Sequence, residues 1–235
     1  MNAPANRLGS VIAAFRRGTK TYDLIATTPL VAWYVLCLCV VAPDIVHGLR
    51  AASDLGLQIR ALLSLLSQIS KFAFAFLLIV LLIARRTPLA GAQGWAPRVV
   101  AFLGGYLPVT LLILPGRGVE SHMLLLSSFL TFFGMVFAVF SLAWLGRSIS
   151  LFPESRKLVT SGPYSVIRHP LYLGEQTALV GVALQVGTLW AVAAIALQFC
   201  CQLYRMNCEE KVLTGSFPEY AAYKTGTYRL IPGLY

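Results

Sequence analysis

The chain has 235 residues, of which 57% are hydrophobic and only 12% charged, against a formal net charge of +10. Soluble domains carry roughly 25% charged residues, so this chain cannot cover its surface with polar groups, and disorder, collagen and coiled coil are excluded on the same figures. Long alternation of apolar and polar residues is absent, which argues against a transmembrane β-barrel and leaves an all-α, polytopic helical membrane protein. The basic residues are scattered between apolar runs, a pattern that suits anionic lipid headgroups rather than nucleic acid.

About 20 apolar residues cross a bilayer as a helix. After a basic start (Arg7, Arg16, Arg17, Lys20), the first run is Leu24 to Val46, too long for a signal-peptide core. The second is Ala61 to Ala84, with Lys71 near its middle. There the lysine is expected to snorkel or to pack against Ser67 and Gln68. The third, Val99 to Leu114, is short and broken by Pro108, and the fourth is Met123 to Leu145. Pro43, Pro88, Pro97 and Pro115 fall near span ends, where helices are expected to stop. The last apolar stretch, Leu171 to Tyr204, holds 34 residues and is interrupted by Gln185-Val186-Gly187-Thr188. That length and that break predict a helix–turn–helix hairpin that enters and leaves by one face, its second helix continuing through Leu213.

Charge tests the topology. With a hairpin, the N-terminus, the 85–98 loop, the 146–170 segment and the tail share one side, which then holds 15 of the Lys and Arg residues, against 3 in the opposite loops. Positive residues mark the cytoplasmic side, so both termini are expected inside. The chain divides into a basic segment with four spans, 1–145, and a polar, hairpin-bearing region, 146–235.

The five cysteines include no Cys-x-x-Cys pair, so neither a disulfide framework nor a structural metal is expected. Chemistry gathers in the last third. Arg168-His169-Pro170 opens the first hairpin helix, whose free backbone N–H groups and positive dipole end suit an anion. Arg168, Tyr172 and Glu175 share one face of that helix, and Gly174, Ala178 and Gly181 form a small-residue face expected to pack tightly against the second hairpin helix. On the second helix Gln198, Gln202, Arg205 and Glu209 form one polar stripe. Polar groups at membrane depth face a cavity or a partner, so a polar cleft between the hairpin helices is predicted. The aromatic, amphipathic segment Phe217 to Lys224 is expected to cap it.

Gly162-Pro163-Tyr164, then Arg168-His169-Pro170-x-Tyr172-x-Gly174, an apolar hairpin, Arg205-x-x-x-Glu209-Glu210-x-x-Leu213, and Phe217-Pro218-x-Tyr220-x-x-Tyr223 resemble the isoprenylcysteine carboxyl methyltransferase family. The related phospholipid N-methyltransferases share much of the pattern. The resemblance covers about Leu158 to Pro232 and is more specific for the superfamily than for the substrate. It implies S-adenosylmethionine as methyl donor, bound at the cytosolic end of the hairpin. It implies Leu158, Val159, Gly162, Tyr164, His169, Tyr172, Glu209 and Glu210 as donor-binding residues, Arg168, Arg205 and Glu209 as catalytic ones, and no metal. The expected partners are a lipophilic substrate from the bilayer and membrane lipids. The acceptor implied first is an isoprenylcysteine-like carboxylate, with a phospholipid amine as the alternative. Membrane sterol reductases share part of the C-terminal pattern but are generally longer, and a small transporter or scaffold would scatter polar residues along several spans.

Overall fold

A computed structural model describes residues 19–55, 59–109, 111 and 121–234. Arg7, Arg16, Arg17, Pro115, the end of the third expected span and the Gly116–Gly118 loop lie outside them. The architecture is all-α and polytopic. Helices α1 (Lys20–Leu55) and α2 (Ile59–Ala84) are followed by a two-residue strand β1 (Ala90–Gly91) and the short α3 (Ala96–Tyr106). Then come α4 (Ser121–Leu145), a second short strand β2 (Glu154–Ser155), α5 (Pro170–Val186), α6 (Leu189–Ser216) and α7 (Tyr220–Thr225). Within the described residues four helical stretches are long and apolar enough to cross a membrane: Lys20–Arg50, Ile59–Ala84, His122–Ser148 and Leu189–Ser216.

The first helix outruns its expected span. Pro29 and Pro43 both lie inside α1, and the helix continues to Leu55, so Pro43 does not end it. Proline is tolerated within membrane helices because neighbouring groups and local adjustments satisfy the freed backbone. The third segment is interrupted at Pro108 as expected, α3 giving way to a 3-10 turn at Leu107–Val109.

The hairpin forms where the sequence breaks. Gly187 ends α5 in the left-handed region (φ 65°), with its N–H donating to the Ala183 carbonyl. Thr188 then caps α6, its hydroxyl accepting from the Ala191 N–H at 3.3 Å. The helix runs on to Ser216. The two hairpin helices, however, touch only sparsely. The small face of α5 packs instead along α4. A Cβ on Gly174 would lie 2.6 Å from the Ala138 nitrogen, and one on Gly134 would lie 2.5 Å from the Ala178 nitrogen. Gly181 faces Ser127, whose hydroxyl donates to the Gly181 carbonyl at 2.8 Å. The expected close approach is present with a different partner: a small-residue stripe needs a matching stripe, and Gly134 and Ala138 supply it on α4, whereas α6 presents its polar row.

One end of the bundle gathers the polar segments. Residues 90–91 pair antiparallel with 154–155, tying the 85–98 loop to the segment after α4. Ile167 bridges Tyr228 in parallel, and the Arg168 and His169 N–H groups donate to the Tyr228 and Arg229 carbonyls. Asp23, near the start of α1, receives Arg85 from just past α2 at 2.6 and 2.7 Å, and Arg156 at 2.8 and 3.2 Å. The start of α1, the 85–98 loop, the 146–170 segment and the tail therefore share one end, as the hairpin topology requires.

Candidate active site

A cavity of about 560 Å³ opens between the sparsely touching hairpin helices. At the polar end it is lined by Leu158, Val159, Tyr164, Arg168, His169, Tyr172, Arg205, Glu209, Tyr220 and Tyr223. Glu175, Gln202 and Gln198 carry its wall deeper, and Leu30, Tyr34, Phe74 and Leu78 from α1 and α2 close it with apolar surface. Lys71 and Gln68 line its far part. The Ser67 hydroxyl donates to the Ser64 carbonyl.

The centre is built from α5 and α6. His169 is buried at the N-terminus of α5, where Pro170 occupies the first helical position. Its ring stacks on Tyr172, with centroids 5.6 Å apart and planes 13° from parallel. The Arg205 guanidinium covers the same tyrosine at 5.3 Å from the ring centroid. Tyr172 donates its hydroxyl to Glu209 at 2.5 Å. The same carboxylate lies 3.8 Å from Arg205 and 3.9 Å from the His169 ring. Glu209 is thus held by groups from both helices and still borders the cavity. Arg205 donates to the Leu151 carbonyl at 3.1 Å, while its Nε is buried without a hydrogen-bond partner among the described residues. Gln202 donates to Glu175 at 3.1 Å.

Two neighbours expected in the site do other work. Glu210 is not among the cavity-lining residues. It collects Arg168 at 3.0 Å, His169 at 3.3 Å, Arg229 at 3.3 Å and Lys224 at 3.4 Å. That set fastens the tail to the start of α5. Arg168 borders the cavity, but it donates to Glu210 and to the Lys224 and Thr227 carbonyls. Its geometry is that of a clamp on the tail. Gly162 also lies off the cavity. Its φ is +61°, and a Cβ there would come within 2.2 Å of the Trp144 ring, so glycine is required for the turn to pass beneath that indole. Tyr223 closes the cap by donating to the Tyr164 carbonyl at 2.6 Å. Burial pushes the Tyr223 hydroxyl up to about 12, so it remains a donor at neutral pH. Burial likewise raises Tyr164 and Tyr220 above the usual tyrosine range.

The apolar wall from α1 and α2 and the Asp23–Arg85–Arg156 knot are absent from the sequence-based site. Asp23 lies 62 residues from Arg85 and 133 from Arg156, and no spacing rule joins them. The one available signal was a carboxylate at the mouth of a long apolar run.

A methyl-bearing sulfonium donor fits the polar end on three observations. A carboxylate, Glu209, faces the cavity where a cation would be held. Tyr164 and Tyr220 line the cavity, and their buried hydroxyls have no hydrogen-bond partner among the described residues. Leu158 and Val159 form the adjoining wall.

Residues 122–219 match the phospholipid methyltransferase family model. This match takes in α4, α5, α6 and the polar segment between them, and supports placement in the wider superfamily of membrane methyltransferases. Among curated proteins, the cobalt-zinc-cadmium resistance protein CzcN of Cupriavidus metallidurans is 37% identical over 99 residues, 40% of this chain and 46% of that protein. The nickel-cobalt-cadmium resistance protein NccN of Alcaligenes xylosoxydans xylosoxydans is 32% identical over 102 residues, 43% of this chain and 47% of that protein. The aligned region thus spans about half the length of these curated relatives.

Proposed function

We propose that the protein transfers a methyl group from S-adenosylmethionine to a lipophilic acceptor drawn from the bilayer. One observation carries this reading: the cavity is continuous from the Glu209–Tyr172–His169 cluster to the apolar wall of α1 and α2. A water-soluble donor and a lipid-soluble acceptor need such a shared space.

The donor, when bound, supplies an electrophilic methyl on a positively charged sulfur. Glu209, oriented by the Tyr172 hydroxyl, is placed to hold that charge. His169 braces Tyr172 by stacking, and Leu158, Val159, Tyr164 and Tyr220 line the rest of the donor end. The catalysis asked of the chain is mainly alignment of two reactants and exclusion of water. On the acceptor side Arg205 lines the cavity and keeps a buried Nε without a hydrogen-bond partner among the described residues; its guanidinium suits a carboxylate. This favours carboxyl O-methylation of an isoprenylcysteine-like molecule, which needs no general base. A second reading, methylation of a phospholipid amine, is favoured by the family match and by Glu175. That carboxylate lines the cavity, held by Gln202, where it can take a proton from an ammonium.

The test uses purified full-length protein and S-adenosylmethionine tritiated in the methyl group, with S-farnesylcysteine derivatives and phosphatidylethanolamine as acceptors. Alkali-labile label released as methanol marks an ester, and alkali-stable lipid label marks an amine. Absence of donor binding by calorimetry in folded protein would overturn the methyltransferase reading.

A further inference from the structure

A second cavity, about 500 Å³, lies at the polar end beside the first. Arg86, Arg147 and Lys157 line it, with Ser148, Thr160, Ser161 and Trp144, and among the described residues its lining holds no acidic side chain. Arg86 follows the end of α2 and Arg147 the end of α4, so both stand where membrane helices leave the bilayer. Backbone contacts hold them together: the Arg86 N–H donates to the Arg147 carbonyl at 2.9 Å, and Arg147 Nε donates to the Ala84 carbonyl at 2.7 Å. None of the three cations pairs with a carboxylate among the described residues. Elsewhere at this end, by contrast, Arg85 and Arg156 share Asp23, and Arg168, Lys224 and Arg229 share Glu210. All three are exposed, so water screens part of their mutual repulsion, and an anion seated among them would be attracted by all three.

The surface leading to the pocket identifies the source of that anion. Phe129, Phe133, Val136, Phe140 and Trp144 are large, exposed and spaced along one face of α4. The row ends at the pocket, where the Trp144 indole N–H is fixed on Ser161 Oγ at 3.0 Å. An apolar stripe that rises to an interfacial tryptophan and then to a ring of cations matches a lipid, with acyl chains along the stripe and a headgroup at the top. Guanidinium and ammonium groups are the usual partners of phosphate oxygens.

We propose that this pocket binds a phosphate oxyanion carried by the headgroup of an anionic phospholipid in the surrounding leaflet. The site is independent of the methyl-transfer reading. It shares Leu145, Ser148, Lys157, Leu158 and Val159 with the main cavity, so the bound lipid would buttress that wall from behind.

The experiment places the full-length protein in phosphatidylcholine nanodiscs containing spin-labelled phosphatidylglycerol or spin-labelled phosphatidylcholine and measures the immobilised fraction. The wild type should retain phosphatidylglycerol in preference. Arg86→Gln/Lys157→Gln should weaken that preference roughly thirtyfold, taking the usual contribution of a basic residue near an anionic surface for each. Arg86→Gln alone, which leaves the backbone contact intact, should weaken it roughly fivefold and keeps the test open if the double variant unfolds. Lys211→Gln, a cation outside the pocket, should change nothing. Inorganic phosphate titrated into phosphatidylcholine-only nanodiscs forms the second arm. Phosphate binding lost in the Arg86 variant, without any phosphatidylglycerol preference, would keep the oxyanion site and reassign its source to soluble phosphate. No variant-sensitive binding in either arm, or an equal loss in Lys211→Gln, would overturn the site.

Discussion

At the scale of single residues, two adjacent glutamates have different surroundings. Glu209 faces the cavity and accepts from Tyr172, whereas Glu210 lies off it among four cationic or ring nitrogens. Glu209→Gln keeps the shape and removes the charge. It should lower the melting temperature only modestly, as buried Arg205 loses a carboxylate 3.8 Å away, and weaken donor binding roughly tenfold to a hundredfold, the usual loss for a charge-assisted hydrogen bond. Glu210→Gln should leave donor binding nearly unchanged and lower stability by about 1–3 kcal/mol, because the half-buried Arg168 loses its carboxylate partner. Calorimetric donor titration and thermal unfolding of both variants check the pair, and equal behaviour would remove the distinction. The polar stripe on α6 was legible from spacing alone, because 3.6-residue periodicity carries face information. The division of labour between neighbours was not. It depends on the tail returning from residue 224 and beyond to reach Glu210, and helix periodicity has no access to that.

At the scale of elements, the hairpin was readable because its turn carries its own chemistry. Gly187 takes the left-handed conformation and Thr188 caps the next helix. The choice of packing partner was not readable. A row of small residues says that a backbone comes close and does not say whose. Gly134 and Gly174 answer it by sitting reciprocally against Ala178 and Ala138. Gly134→Leu should therefore push α4 and α5 apart and cost about 1–3 kcal/mol, as overpacking does in a close-packed interior. Gly215→Ala, in a helix with nothing within 4 Å of the added carbon, should be neutral or slightly stabilising. Thermal unfolding in detergent measures both. Equal tolerance at the two positions would mean that the α4–α5 contact is not tight.

At the scale of the molecule, charge counting and geometry converge on one arrangement. The short β1–β2 ladder, the Asp23 knot and the Ile167–Tyr228 bridge bring four separated basic segments to one end. In a background lacking the native cysteines, single cysteines at Ala90, Lys157 and Ala222 should react with a membrane-impermeant maleimide from the same side. Cysteines at His47 and Leu189 should react from the other. All five positions belong to exposed residues. Opposite labelling of 157 and 222 would convert the hairpin into a single crossing and overturn the fold. The class of membrane helical bundle was legible from hydropathy, although among the described residues the third expected span yields only the short α3 while α6 of the hairpin is long enough to cross. The apolar wall of the cavity was not legible. Membrane helices are greasy on every side, so composition does not mark which flank of α1 or α2 meets a substrate.

That two-walled cavity has an evolutionary corollary. Apart from Tyr220 and Tyr223, its polar wall falls inside the family-matched region 122–219, while the wall from α1 and α2 falls before it. On the proposed reading, the two walls can change separately, one holding the donor and the other following whatever greasy molecule a lineage encounters. A chimaera that takes residues 20–84 from a relative, with the contacts of Asp23 and Arg85 preserved, should keep the host's affinity for S-adenosylmethionine. Its ranking of lipophilic acceptors should follow the graft, as read by competition between acceptors in one assay. If acceptor ranking stays with the host, recognition resides in the matched region alone, and the first two helices serve only as a hull.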